Sequence, residues 1–143
     1  MNYQQSTRYA LYAALEMATA ADGELVTAAQ VAEKYDLPPT VLAKVIQRLV
    51  HAGLALGSRG VTGGYRLARP PAEITVLEVL EVFEGVQTLT SCALGTCDAA
   101  RCGQLAQCRL RGLFDEVDSQ ARATFASVTL ATLVAPRRAL GGE

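Results

Sequence analysis

The stretch "PPTVLAKVIQRLVHAGLALGSRGVTGGYRLAR", residues 38 to 69, admits few folds. Its first half repeats apolar residues at Val41, Leu42, Val45, Ile46, Leu49 and Val50. Only a helix gathers that three- and four-residue rhythm onto one face. Pro38 and Pro39 suit the entry to such a helix, and Gly53 suits its end. Two short strand-like runs follow, "LALGSRG" and "GGYRLAR", joined across Gly60, Val61, Thr62, Gly63 and Gly64. The glycines of that junction permit the positive-φ conformations a hairpin turn requires. The pattern is thus a helix that runs directly into a hairpin.

What precedes it completes a motif. From about Ser6 to Ala20, Tyr9, Leu11, Tyr12, Leu15 and Met17 stand among alanines, a helical pattern ended by "ADGE". Thr27, three residues before Gln30, is a capping-box signal for a short helix that turns Val31 and Ala32 inward and stops before "YDLPP". A short helix, a tight turn and a longer helix with Lys44, Gln47, Arg48 and His51 on its outer face make a helix-turn-helix, and the hairpin adds a wing. Helices of this kind enter the major groove of double-stranded DNA.

The net charge of −1 argues weakly against a nucleic-acid partner until the charges are placed along the chain. No acidic residue lies between Asp36 and Glu73, while Lys44, Arg48, Arg59, Arg66 and Arg69 all do. Phosphate attraction needs only local charge, so this half is expected to face DNA. Thr40, Val41 and Gln47 are the candidates for base edges. Lys44, Arg48 and Arg59 are candidates for phosphate or groove contacts, and Gly60, Gly63 and Gly64 belong to the DNA-facing wing.

The C-terminal half reads as an assembly surface. Thr75 and Glu78 form a second capping box ahead of "VLEVLEVFEG". Further on, "RLRGLFDEVDSQARATFAS" aligns Leu110, Leu113, Phe114, Val117, Ala121 and Phe125 on one helical face, longer than one small domain can cover. The economical cover is the same helix of a second chain, which predicts a homodimer. Thr129 is expected to cap a last short helix. The expected organisation is a winged-helix region over 1–72, a connecting helix over 73–90, a cysteine loop over 91–108, a dimerisation helix with a short terminal helix over 109–135, and a tail over 136–143. At 143 residues, half of them apolar, one core is expected. The start carries no signal-peptide pattern, and no apolar run approaches the ~20 residues that span a bilayer, so a cytoplasmic protein without membrane contact is expected.

All four cysteines, Cys92, Cys97, Cys102 and Cys108, fall in one segment with the spacing C-x4-C-x4-C-x5-C. In a reducing compartment such a cluster points to metal ligation or redox chemistry. Four thiolates suit an iron–sulfur cluster. They also match the ligand count of structural zinc, although zinc knuckles usually have shorter spacings, and a metal-free thiol switch is the third possibility. Catalysis is not expected, and no catalytic residue is assigned. His51 is the single histidine, lies on the outer face of the helix and is far in sequence from the thiols.

The strings "STRYALYAALEMA", "SRGVTGGYRLAR" and "ITVLEVLEVFEG", with the late cysteine segment followed by "CRLRGLFDEV", resemble the IscR/NsrR family of winged-helix transcriptional regulators over roughly residues 1 to 135. The resemblance implies a mainly α fold, a winged helix-turn-helix with a two-stranded wing plus a long C-terminal dimerisation helix. It further implies a homodimer on operator DNA, with an iron–sulfur cluster, 2Fe–2S ahead of 4Fe–4S, whose state controls binding. One departure stands out. The family pattern has three cysteines completed by a histidine shortly after the last, and here that position is Arg111. Cys92 and Cys108 match the outer cysteines and Cys97 or Cys102 the middle one, and the remaining thiol is either a fourth ligand or a bystander, the set then being completed from outside the loop.

Overall fold

Helix α1 (Gln5–Thr19) owes its central place to small residues: Ala10, Ala13 and Ala14 are buried and let the neighbouring helices approach closely. Its N-terminus is capped from far along the chain. Glu84 Oε1 accepts from the Gln4 N–H at 2.8 Å and from Thr7 Oγ1 at 2.5 Å, so the first turn of α1 is tied to the end of a later helix. In this computed structural model, residues 3–84 and 109–136 are described.

Helix α2 (Ala28–Tyr35) opens with the expected capping box. The Gln30 N–H donates to Thr27 Oγ1 at 3.1 Å and the Thr27 N–H donates to Gln30 Oε1 at 2.9 Å. It stops at Asp36, whose φ of +53° reverses the chain, and the Leu37 N–H then donates to the Ala32 carbonyl at 2.8 Å. Three residues later α3 (Pro39–His51) begins with proline at its first position. Tyr35 stacks on Tyr12 of α1 at 4.5 Å and donates to Glu16 Oε1 at 2.6 Å, while Lys34 pairs with the same oxygen at 2.7 Å. Partial burial, together with the Glu16 carboxylate, pushes the Tyr35 hydroxyl up to about 12.

Strands β1 (Ala55–Ser58) and β2 (Gly64–Leu67) pair antiparallel in the register Ala55↔Leu67 to Ser58↔Gly64. A third segment joins them, because Val26 and Tyr65 exchange both main-chain hydrogen bonds, at 2.9 and 2.8 Å. A 3₁₀ turn over Pro71–Glu73 leads to α4 (Val76–Glu84), whose capping box is formed as expected by Thr75 and Glu78. After residues 85–108 come α5 (Arg109–Ser127) and α6 (Leu130–Val134), the latter capped by Thr129.

One core runs through all of this. Val31, Leu42, Ile46, Leu49, Ile74, Val79 and Leu130 are almost wholly buried in a single cluster. The chain's last described segment therefore returns to the winged helix. Val76 N–H donates to Val128 O and Leu130 N–H to Ile74 O, both at 2.9 Å, around a bridge between Thr75 and Thr129. The single core expected from the sequence thus takes in α4 and α6, through Val79, Phe83 and Leu130.

Candidate nucleic-acid interface

Helix α3 divides its residues sharply. Leu42, Val45, Ile46 and Leu49 are buried, and their packing presents Thr40, Lys44 and Gln47 outward, with Val41 at 43% exposure beside them. The expected base-edge candidates Thr40, Val41 and Gln47 thus share a solvent-facing surface with Lys44. His51 Nδ1 lies 2.8 Å from the Gln47 carbonyl, one turn back on the same helix.

Arg48, expected at a phosphate or groove contact, is exposed on the same helix and also reaches α4. Its Nη2 donates to the Val82 carbonyl at 2.7 Å, and its guanidinium lies 4.4 Å from the centre of the Phe83 ring. The guanidinium bonds a carbonyl in the last turn of α4, which periodicity along α3 could not disclose. Arg69 is likewise occupied: it pairs with Glu78 at 2.5 Å and donates to the Glu73 carbonyl at 2.9 Å. Partial burial raises the Glu78 carboxyl, but the hydrogen bonds from Thr75 and Arg69 outweigh it and hold Glu78 below the ordinary range. Lys44, Arg59 and Arg66 are exposed and form no ion pair with any described residue.

The wing turn is built on its backbone. The Gly63 N–H donates to the Gly60 carbonyl at 3.0 Å, and Gly60 has φ +116°. A Cβ on Gly63 would lie 2.4 Å from the Ser58 carbonyl oxygen, so no side chain fits there. Gly64 is buried, and a Cβ there would sit 3.0 Å from both Leu25 Cβ and the Val26 carbonyl. Gly63 and Gly64, both expected on the DNA side of the wing, have demonstrable roles in letting the chain turn and in seating β2 on the segment before α2. Arg59 follows directly on β1 and lines a groove between the wing and α3 with Gln47, Val50 and Tyr65. Sequence reasoning missed Tyr65. The alternation in "GYRL" puts Tyr65 opposite Arg66, but nothing local names its partners, Val26 and Gln47.

Cys92, Cys97, Cys102 and Cys108 lie outside the described residues. Among the described residues no group of three or more histidine, cysteine or acidic side chains is arranged to hold a metal ion. The four thiols are chemically the donor set that iron–sulfur clusters take. The helices on either side of their segment are described and joined, since Arg122 of α5 pairs with Glu81 of α4 at 2.5 Å. Among the described residues no helix is long and apolar enough to cross a membrane.

A helix-turn-helix with an exposed, cationic second helix and a glycine-turned wing defines a DNA-binding protein of the winged-helix class. The chain belongs to the Rrf2 family, whose sequence model, described as an iron-dependent transcriptional regulator, matches residues 3–136. It is a transcriptional regulator and not an enzyme, in agreement with the resemblance carried by the wing and its flanking strings. It is 35% identical over 134 residues to the helix-turn-helix-type transcriptional regulator BadM of Rhodopseudomonas palustris, covering 94% of this chain and 81% of that one. Among solved structures, CymR of B. subtilis, described as its global cysteine regulator, is similar with a TM-score of 0.74 at 24% identity, covering 94% of this chain and 96% of that one. The IscR of T. potens gives a TM-score of 0.73 at 22% identity, covering 100% of this chain and 94% of that one.

Proposed function

We propose that this regulator acts as a homodimer whose grip on operator DNA follows the state of an iron–sulfur cluster, 2Fe–2S ahead of 4Fe–4S, ligated in the segment between α4 and α5. One observation carries the reading: Arg48, on the helix that addresses DNA, grips Val82 and Phe83 at the end of α4, with Phe83 nine positions ahead of Cys92. A change in that segment has a short physical route to α3 through a few side chains. The family description as iron-dependent regulators supports the same reading. A bound cluster would supply a redox-active and chemically labile group that oxidants or nitric oxide can alter.

Cys92, Cys102 and Cys108 are assigned as core ligands and Cys97 as the fourth. DNA contacts are assigned to Thr40, Val41, Lys44, Gln47 and Arg59, and the dimer contact to α5. The exposed apolar residues Leu110, Leu113, Phe114 and Val117 on that helix support the last assignment. Thiolate ligands hold iron and sulfide only while deprotonated and in place, so serine at a ligand position lowers cluster content. Anaerobic reconstitution should give a brown protein, with iron and sulfide falling sharply in Cys92→Ser, Cys102→Ser and Cys108→Ser. Retention of full iron, sulfide and visible absorption in every single serine variant would exclude the cysteines as ligands.

A second reading is favoured by the likeness to CymR, a regulator described by its relation to cysteine. In it the same four thiols act as a metal-free switch or hold zinc. A colourless anaerobic sample that contains no iron and changes DNA affinity on reversible oxidation selects the thiol switch.

A further inference from the structure

Gln47 projects from the exposed face of α3, and its Nε2 donates a hydrogen bond to Tyr65 Oη at 3.0 Å. Tyr65 lies on β2, so this bond joins the two elements that a winged helix applies to DNA. We infer that Tyr65 is a positioning residue that sets the base preference of α3 by holding the Gln47 amide in one orientation. The inference rests on the assignment of Gln47 to a base edge.

Tyr65 is itself fixed from three directions. Its main chain exchanges hydrogen bonds with Val26 at 2.9 and 2.8 Å, which locks it to the helix-turn-helix body and not to the tip of the wing. Its ring lies over Gly57, where a Cβ would come within 3.3 Å of Cε1. Its hydroxyl meets Gln47. An unrestrained glutamine has many rotamers and presents its carbonyl and amino group in either sense, so it discriminates poorly between bases. With one N–H given to Tyr65, the Gln47 amide retains one N–H and its carbonyl oxygen for another partner. A donor beside an acceptor is the pattern that reads adenine, through N7 and the N6 amino group, on the major-groove edge. Gln47 remains exposed, so the oriented amide is open to such a partner.

Selection from a randomised duplex library with the full wild-type chain yields a preferred duplex and its single-base-pair variants. Gln47→Ala, Tyr65→Phe and the double variant are then titrated against them at fixed salt. Tyr65→Phe keeps the ring on Gly57 and the pairing with Val26, so the protein folds, as a melting curve checks. Gln47→Ala should flatten the preference at one A·T position. Tyr65→Phe should flatten the same position by roughly fivefold, the worth of one hydrogen bond, and leave affinity for an unrelated duplex unchanged. The double variant should be no worse than Gln47→Ala alone. The positioning role is overturned if Tyr65→Phe preserves the preference that Gln47→Ala abolishes, or if it weakens all duplexes equally. If Gln47→Ala preserves every preference, the base-edge assignment itself fails and takes the inference with it.

Discussion

Lys44 and Arg48 stand one turn apart on α3, carry the same charge and have different surroundings. Lys44 has no described ion-pair partner, whereas Arg48 holds the end of α4 through the Val82 carbonyl and the Phe83 ring. A side chain that neutralises a phosphate releases counterions, and its loss flattens the salt dependence of binding. Lys44→Ala should therefore reduce the slope of log K against log salt by about one. Arg48→Ala should leave the slope unchanged and cost about 1 kcal/mol of stability, from one charged hydrogen bond and one ring contact. Salt titrations of the two variants on one duplex decide this, and equal slope changes would return Arg48 to the phosphate backbone.

At the scale of elements, α5 is the anomaly. None of its residues is buried, and Leu110, Leu113, Phe114 and Val117 are all exposed. A shallow apolar groove of about 420 Å³ between α1 and α5, with Phe125 in its wall, adjoins it. Phe125 also meets Tyr3 edge-on at 5.9 Å, so a charge there would disturb the protomer as well as any partner. Val117, at 47% exposure, is the cleaner probe. Val117→Glu should convert the proposed dimer to a single chain at micromolar concentration, because an unpaired charge buried in an interface costs several kcal/mol, about 3–5 by analogy with broken buried pairs. Light scattering reads the mass; a wild-type mass of one chain defeats the proposal. The apolar stripe itself was legible in the sequence, since its period follows from local composition.

Across the whole molecule, the return of the chain to its beginning matters most. Leu130 is fully buried beside Ile74, and two main-chain hydrogen bonds bind the segments that carry them. Leu130→Ala should cost about 2–5 kcal/mol, as large-to-small changes in a packed core do. Because α6 shares the core of α1 to α4, the loss should lower the single melting transition of the winged helix as well as the terminal turn. A loss below about 1 kcal/mol in denaturant titration would detach α6 from the core.

By itself the sequence determined the helices, the caps of α2, α4 and α6, the wing and the acid-free stretch. Each of these follows from patterns within a few residues: apolar spacing in α3, Thr27 with Gln30, Thr75 with Glu78, and the glycines of the turn. The same local chemistry groups the four thiols, which the proposal reads as one donor set. Tertiary structure alone decided which basic groups remain unpaired, because Arg48 and Arg69 find their partners on α4 and its approach. It also decided that Glu84 caps α1, that Val26 joins the wing and that Leu130 closes the core. Apart from Arg69, whose partners lie within nine positions, these pairings link residues tens of positions apart, and they form only where the packing of α1 against α3, α4 and α6 brings them into reach, a geometry that no local periodicity encodes.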